Sequence, residues 1–167
     1  MQEREMYLFL CSIYRISQEE IDILKAQFGK LEVLMYLDEK EILKNKNLNS
    51  KLLKNIVKYR SHSRIENIKG VLEKDIQYVC FSDDDYPESL KHIQMPPPIL
   101  FYKGDISILD HRNNIAVIGS RAPTNYGLYC VRKYAKELSD IGMDIVSGLA
   151  LGIDSEAHLA CMNGRFG

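Results

Sequence analysis

No stretch of this 167-residue chain approaches the ~18 consecutive apolar residues that a bilayer-spanning helix needs, so a helical membrane protein is excluded. Cysteine is sparse and scattered. Cys11, Cys80, Cys130 and Cys161 form no CxxC pair and have no histidine pair nearby, which argues against a disulfide scaffold and structural zinc, and for reduced thiols in a cytoplasm. The N-terminal segment MQEREMYLFLCSIYRIS places charges before a short apolar run, but Arg15 follows soon after and there is no small-residue cleavage site. It reads as an amphipathic helix rather than an export signal. Charge of one sign is lacking too, with 22 Lys and Arg against 23 Asp and Glu. At 46% apolar and 27% charged residues, the composition is that of a folded globular protein, neither disordered nor fibrous. One larger domain or two small ones fit this length. A single body would bury roughly 70% of its unfolded surface, enough for a core without staples.

The balanced total conceals an asymmetry. Residues 1–74 carry 14 basic and 11 acidic groups, whereas residues 75–167 carry 8 and 12. Eight basic residues fall between Lys40 and Arg64 (Lys40, Lys44, Lys46, Lys51, Lys54, Lys58, Arg60, Arg64) with one acid, Glu41, a local field able to attract phosphate. The same half has helical periodicity throughout. Met6, Phe9, Leu10 and Ile13, then Ile21, Leu24 and Phe28, then Leu31, Leu34 and Met35, then Leu52, Leu53, Ile56 and Val57 recur at spacings of three and four, one apolar face per segment. Ser17 followed by Glu20 is a capping-box start, Gly29 an ordinary helix stop, and Asn49 or Ser50 caps the fourth segment. A small helical bundle over 1–72 is expected, with a last helical stretch at about 63–74 and a domain boundary near 70–76.

From Ile76 the pattern shifts to short strand-like runs. IQYVC is followed by the polar stretch SDDDYPESLKHI, and Pro96–Pro98 form a rigid extended lead into Ile99–Tyr102. Asn114–Ile118 is a short β-branched run of the kind buried in parallel sheets. A loop opening on Gly119-Ser120-Arg121 comes next, then a helical stretch from Thr124, a strand at Asp144–Ser147, the loop GLALGID and a last helix. This alternation predicts a βαβ unit and an open parallel sheet, an α/β region over 76–167. Both loops then lie at the carboxyl ends of their strands, where such sheets bind ligands.

The residue types suit an anion. Gly119, Gly148 and Gly152 let backbone approach a phosphate, Ser120, Thr124 and Ser147 add hydroxyls, and Arg121 adds a guanidinium fork that grips phosphate or stacks on a base. Neither GxGxxG nor GxxxxGK[ST] is present, so the dinucleotide and P-loop fingerprints are absent. Tyr126, on the first turn of the following helix, is placed to stack a base.

Several further motifs have bland readings. Asp154 and His158 are four apart on one helix face; Asp154 is expected to cap its helix and His158 to pack on the sheet, and no catalytic role is assigned. Asp83-Asp84-Asp85 is expected to be a turn capping the helix at Pro87, not a metal site. Lys51, Lys54 and Lys58 form one polar stripe opposite Leu52, Leu53, Ile56 and Val57, a solvated face or a secondary DNA contact.

The ordered series Tyr86-Pro87, Leu90, Ile93, Pro97-Pro98, Leu100, Tyr102-Lys103-Gly104, Ala116-Val117-Ile118-Gly119-Ser120-Arg121, Thr124, Tyr126-Gly127, Val146-Ser147-Gly148-Leu149-Ala150, Gly152-Ile153-Asp154 and Ala157-His158 resembles the DNA-processing protein A family (DprA, also called Smf) over about 82–164. The resemblance implies an N-terminal helical domain like a sterile alpha motif, followed by the first half of an extended Rossmann-like domain that binds and protects single-stranded DNA. It also implies RecA loading during natural transformation and recombination, a homodimer when full-length, and neither cofactor, metal, membrane nor covalent chemistry. By that match Gly119, Ser120 and Arg121 occupy the family's DNA-phosphate loop, and Gly148 to Gly152 the neighbouring turn. Leu151 departs from the Lys or Arg many members carry there, which removes one phosphate contact. The ending at Asn163–Gly167, where the family continues into its next strand, reads as that of a fragment. The enzymatic alternative is a nucleotide-binding hydrolase of the lysine-decarboxylase-like Rossmann class, which would need a PGGxGTxxE motif.

Overall fold

Five consecutive buried residues, Met6 to Leu10, set the character of the first helix, α1 (Glu3–Ile13). The segment expected to be amphipathic is apolar around most of its circumference because it is enclosed on several sides, and such a helix belongs inside a core. The structure, a computed structural model, describes residues 2–72, 75–110 and 113–164. Around α1 lie α2 (Gln18–Phe28), a 3₁₀ turn at Leu31–Met35, α3 (Glu39–Leu43), α4 (Ser50–Tyr59) and α5 (His62–Val71). Ser17 and Glu20 form the reciprocal cap of α2, Gly29 ends it at φ 76°, and of the two candidates for α4 it is Asn49 that caps, accepting from the Lys51 N–H. The far end of the expected 63–74 stretch, Glu73 and Lys74, lies outside the described residues, as does the chain ending at 165–167.

The next two strands join this helical unit. β1 (Gln77–Cys80) pairs antiparallel with β2 (Ile99–Tyr102), with α6 (Glu88–Lys91) between them. Cys80 enters the same core as Met6, Phe9 and Ile56, with Tyr78, Phe81 and Ile99 packed against it. The Arg4 guanidinium stands 4.8 Å over the Tyr78 ring and pairs with Asp83 at 3.0 Å. Asp83 also accepts the Cys80 N–H at 2.8 Å, while α6 has no side-chain cap. The acidic run therefore does not cap α6. Its first carboxylate closes the turn after β1 and ties it to α1. Burial pushes the Cys80 thiol up to about 12 and that of Cys11 up to about 11, so both are protonated core groups.

The chain divides into compact units after Ile106, not at 70–76 where the hydrophobic pattern changes, because the β1–β2 hairpin completes the helical core. The second unit, from Ser107, contains β3 (Asn114–Ala116), α7 (Asn125–Asp140), β4 (Asp144–Val146) and α8 (Ile153–Met162). β3 and β4 pair in parallel, Ile115 opposite Ile145 and Ala116 opposite Val146, the expected βαβα order. Val131, Ala135, Ala157 and Ala160 form its buried apolar cluster, against which Val117, Ile145 and Ile153 pack. Small residues at spacings of three and four let α7 and α8 approach closely. No helix among the described residues is long and apolar enough to cross a membrane.

Candidate functional site

Both glycine loops leave the carboxyl ends of the parallel strands, and they are bonded to each other. The Ile153 N–H donates to the Ser120 carbonyl at 3.0 Å, and the Gly119 N–H donates to Asp154 Oδ1 at 3.1 Å. Asp154 is a buried carboxylate, and Gly152, not Asp154, stands at the N-cap of α8. The expected cap is thus a clasp between loops. A buried carboxylate needs N–H donors, and the loop after β3 supplies one.

Glycine is required here for space. A Cβ on Gly119 would lie 2.7 Å from the Ile153 side chain. At Gly152 it would collide with the Ser120 carbonyl and the Arg121 backbone, and φ there is +94°. Leu149 between them is at φ 54°, a left-handed conformation that a residue with a γ-branched side chain adopts only when its surroundings impose it.

The hydroxyls divide by role. Thr124 caps α7, accepting the Gly127 N–H at 3.1 Å; Ser120 Oγ accepts the Ala122 N–H at 3.1 Å. Ser147 donates to the Val117 carbonyl at 2.7 Å, so its proton serves to lock β4 to the end of β3. The Gly119 N–H is likewise engaged by Asp154, and what that glycine contributes is room. The backbone N–H groups of Ser120, Arg121 and Gly148 through Leu151 find no acceptor among the described residues, and the exposed Arg121 makes no ion pair among them. Unsatisfied N–H groups beside a free guanidinium and the N-termini of α7 and α8 form a surface suited to oxyanions. Tyr126 is 76% exposed on the first turn of α7. A hydrogen bond with the Cys130 thiol raises its phenol above the ordinary value. Beside it an apolar groove of about 280 Å³ is lined by Ile118, Gly119, Cys130, Tyr134 and Ile153 among others.

Of the expected site residues, Gly119, Ser120, Arg121, Gly148 and Gly152 share the two clasped loops; Thr124 and Ser147 frame them, and Tyr126 flanks them. Lys51, Lys54 and Lys58 are on the other unit, exposed along α4. Within the basic stretch, Arg60 is engaged, donating to the Leu34 carbonyl at 3.1 Å and also to that of Leu37. Asp154 was missed as a site residue, although a carboxylate directly after a glycine loop is itself a signal that something must donate to it.

The family model for DNA recombination-mediator protein A matches residues 77–166. The chain belongs to that family. The match begins well before the packing division at Ile106, so the segment matched to the family includes the β1–β2 hairpin that is built into the helical core. Protein Smf of Synechocystis is 42% identical over 101 residues, which are 56% of this chain and 25% of that protein. Protein Smf of Borreliella burgdorferi is 32% identical over 157 residues, 86% of this chain and 48% of that one. The crystal structure of DNA processing protein A from Streptococcus pneumoniae matches with a TM-score of 0.68 at 26% identity, covering 97% of this chain and 54% of that one. The likeness extends over the helical unit as well as the parallel-sheet unit. The chain spans less than half the length of the curated relatives it matches.

Proposed function

We propose that this chain is a DNA-processing protein that binds single-stranded DNA in the cytoplasm, holding the phosphate backbone at the two clasped loops. Arg121 grips a phosphate, the free N–H groups of Ser120 and Gly148 through Leu151 complete the anion site, Thr124 and Ser147 fix the loop ends, and Tyr126 stacks a base. The observation that carries this reading is the clasp: the Gly119 N–H donates to Asp154 and the Ile153 N–H to the Ser120 carbonyl, which holds the loops together, and the N–H groups of Ser120, Arg121 and Gly148 through Leu151 have no acceptor among the described residues. Family membership and the names of the relatives support it, since those proteins are described as DNA processing proteins and recombination mediators. In this account the sequence divides into a helical region at 1–72 and the first half of a Rossmann-like domain at 76–167, the hairpin that opens the second region packing into the core of the first. The protein works by protecting the strand and promoting RecA loading in transformation and recombination, acts as a homodimer when full-length, and performs no covalent chemistry.

The discriminating experiment is a titration of labelled oligo-dT and a duplex of equal length with the chain, alongside incubation with nucleoside monophosphates. Preferential binding of the single strand without turnover is expected. Monophosphate hydrolysis would instead assign the chain to the hydrolase class.

A further inference from the structure

We infer that the helical unit carries a second contact for single-stranded nucleic acid, in which Lys51, Lys54 and Lys58 of α4 hold phosphates and the exposed Tyr36–His62 pair accepts a base. This goes beyond the phosphate-loop reading and does not depend on it.

The first observation is electrostatic. Five lysines are neutralised locally, Lys69 by Glu5 and Glu66, Lys25 by Glu3, Lys91 by Glu88, Lys103 by Asp75 and Lys136 by Asp140, whereas Lys40, Lys44 and Lys46, which lead into α4, make no ion pair among the described residues. Lys51, Lys54 and Lys58 make no ion pair among the described residues. Their spacing of three and four puts them on one exposed face, opposite the buried Leu52, Leu53 and Ile56, along about 10 Å of helix axis.

The second observation is that this placement works against the helix. The first turns of α1, α2 and α3 each carry two acids, which favours the positive end of the helix dipole, whereas α4 has none there and begins with Ser50-Lys51. A cation at that end is a local cost with no ion-pair partner among the described residues to offset it. Such a violation of a local rule is expected where a ligand supplies the missing charge.

The third observation selects the ligand. Tyr36 is 72% exposed and lies 5.9 Å, centroid to centroid, from the His62 ring, to which its hydroxyl is bonded at 3.2 Å. The Tyr36 segment is fixed to the end of α4 by Arg60, whose guanidinium bonds the carbonyls of Leu34 and Leu37 on either side of it. Lys58 and Arg64 stand 4.9 and 5.0 Å from the Tyr59 ring. Exposed rings tied through Arg60 to the end of the helix that carries the cationic stripe match a strand whose bases are free to stack, and offer nothing particular to an acidic peptide or to a duplex with buried base faces.

The test uses the whole chain with (dT)30. Lysine acetylation read by mass spectrometry should show Lys51, Lys54 and Lys58 protected several-fold relative to Lys30. Combined Lys51→Gln, Lys54→Gln and Lys58→Gln should lower the slope of log K against log salt by about two, three charges at ~0.7 each. Tyr36→Ala should weaken binding of (dT)30 more than of an abasic oligonucleotide of equal length. All four positions include exposed side chains, and circular dichroism verifies that the variants fold. An unprotected stripe with an unchanged slope overturns the inference, as does equal protection by polyglutamate, which would assign the face to an acidic protein. Loss of binding in Arg121→Ala with the stripe unprotected contradicts this inference alone; protection of the stripe with Arg121→Ala silent contradicts the phosphate-loop reading alone; no binding of (dT)30 by the unaltered chain overturns both.

Discussion

Gly152 shows how much of the site depends on single positions. Its backbone approaches Ser120 and Arg121 so closely that no Cβ fits, at a φ only glycine adopts readily. Gly152→Ala should therefore part the two loops and destabilise the second unit by about 1–3 kcal/mol, read as a lower denaturation midpoint and accompanied by weaker oligonucleotide binding. Glycines and Arg121 were legible in the sequence because their chemistry is specific to residue type. Asp154 was legible only as a carboxylate that needs a donor, because the donor itself, the Gly119 N–H, lies 35 residues earlier, whereas a sequence displays only near neighbours. The reading of Asp83 as a cap failed for the same reason: its ion pair is with Arg4, at the other end of the helical unit.

At the scale of elements, periodicity located the helices well, and caps set their ends where side chains declared them, as at Ser17 and Asn49. The character of α1 was less legible. Tyr7 and Leu8 fall off the apolar face drawn through Met6, Phe9 and Leu10, yet they too are buried, since neighbours from α4, α5, the Leu31–Met35 turn and β2 surround the helix. The two helix groups differ in core. Beneath α1 and α4 lie large side chains such as Phe9, Leu10, Leu24 and Ile56, whereas α7 and α8 meet largely through alanines. Ile118, Ile141, Leu151 and Met162 of the second unit are each at least 70% exposed. Burial of apolar area scales with stabilisation at ~25 cal/mol per Å². Amide hydrogen exchange should thus protect α1 and α4 more strongly than α7 and α8, with α7 and α8 exchanging through lower-energy openings.

Across the whole molecule, the sequence pattern and the packing disagree on one boundary. The change from helical to strand-like periodicity near residue 76 coincides with the start of the family match, while the compact units part after Ile106. Periodicity reports element type, and it carries no information about which core a hairpin joins. The parallel order of the second unit was readable because strand, glycine loop and helix alternate, and that order places both loops at one end of the sheet.

The central claim is that the clasped loops hold the phosphates of a single strand through Arg121. Fluorescence anisotropy of labelled oligo-dT, titrated with the chain and with Arg121→Ala at two salt concentrations, tests it most directly. The account predicts a loss of roughly 1–3 kcal/mol and a slope of log K against log salt shallower by about one charge in the variant. Equal affinity and equal slope in the two proteins would contradict it.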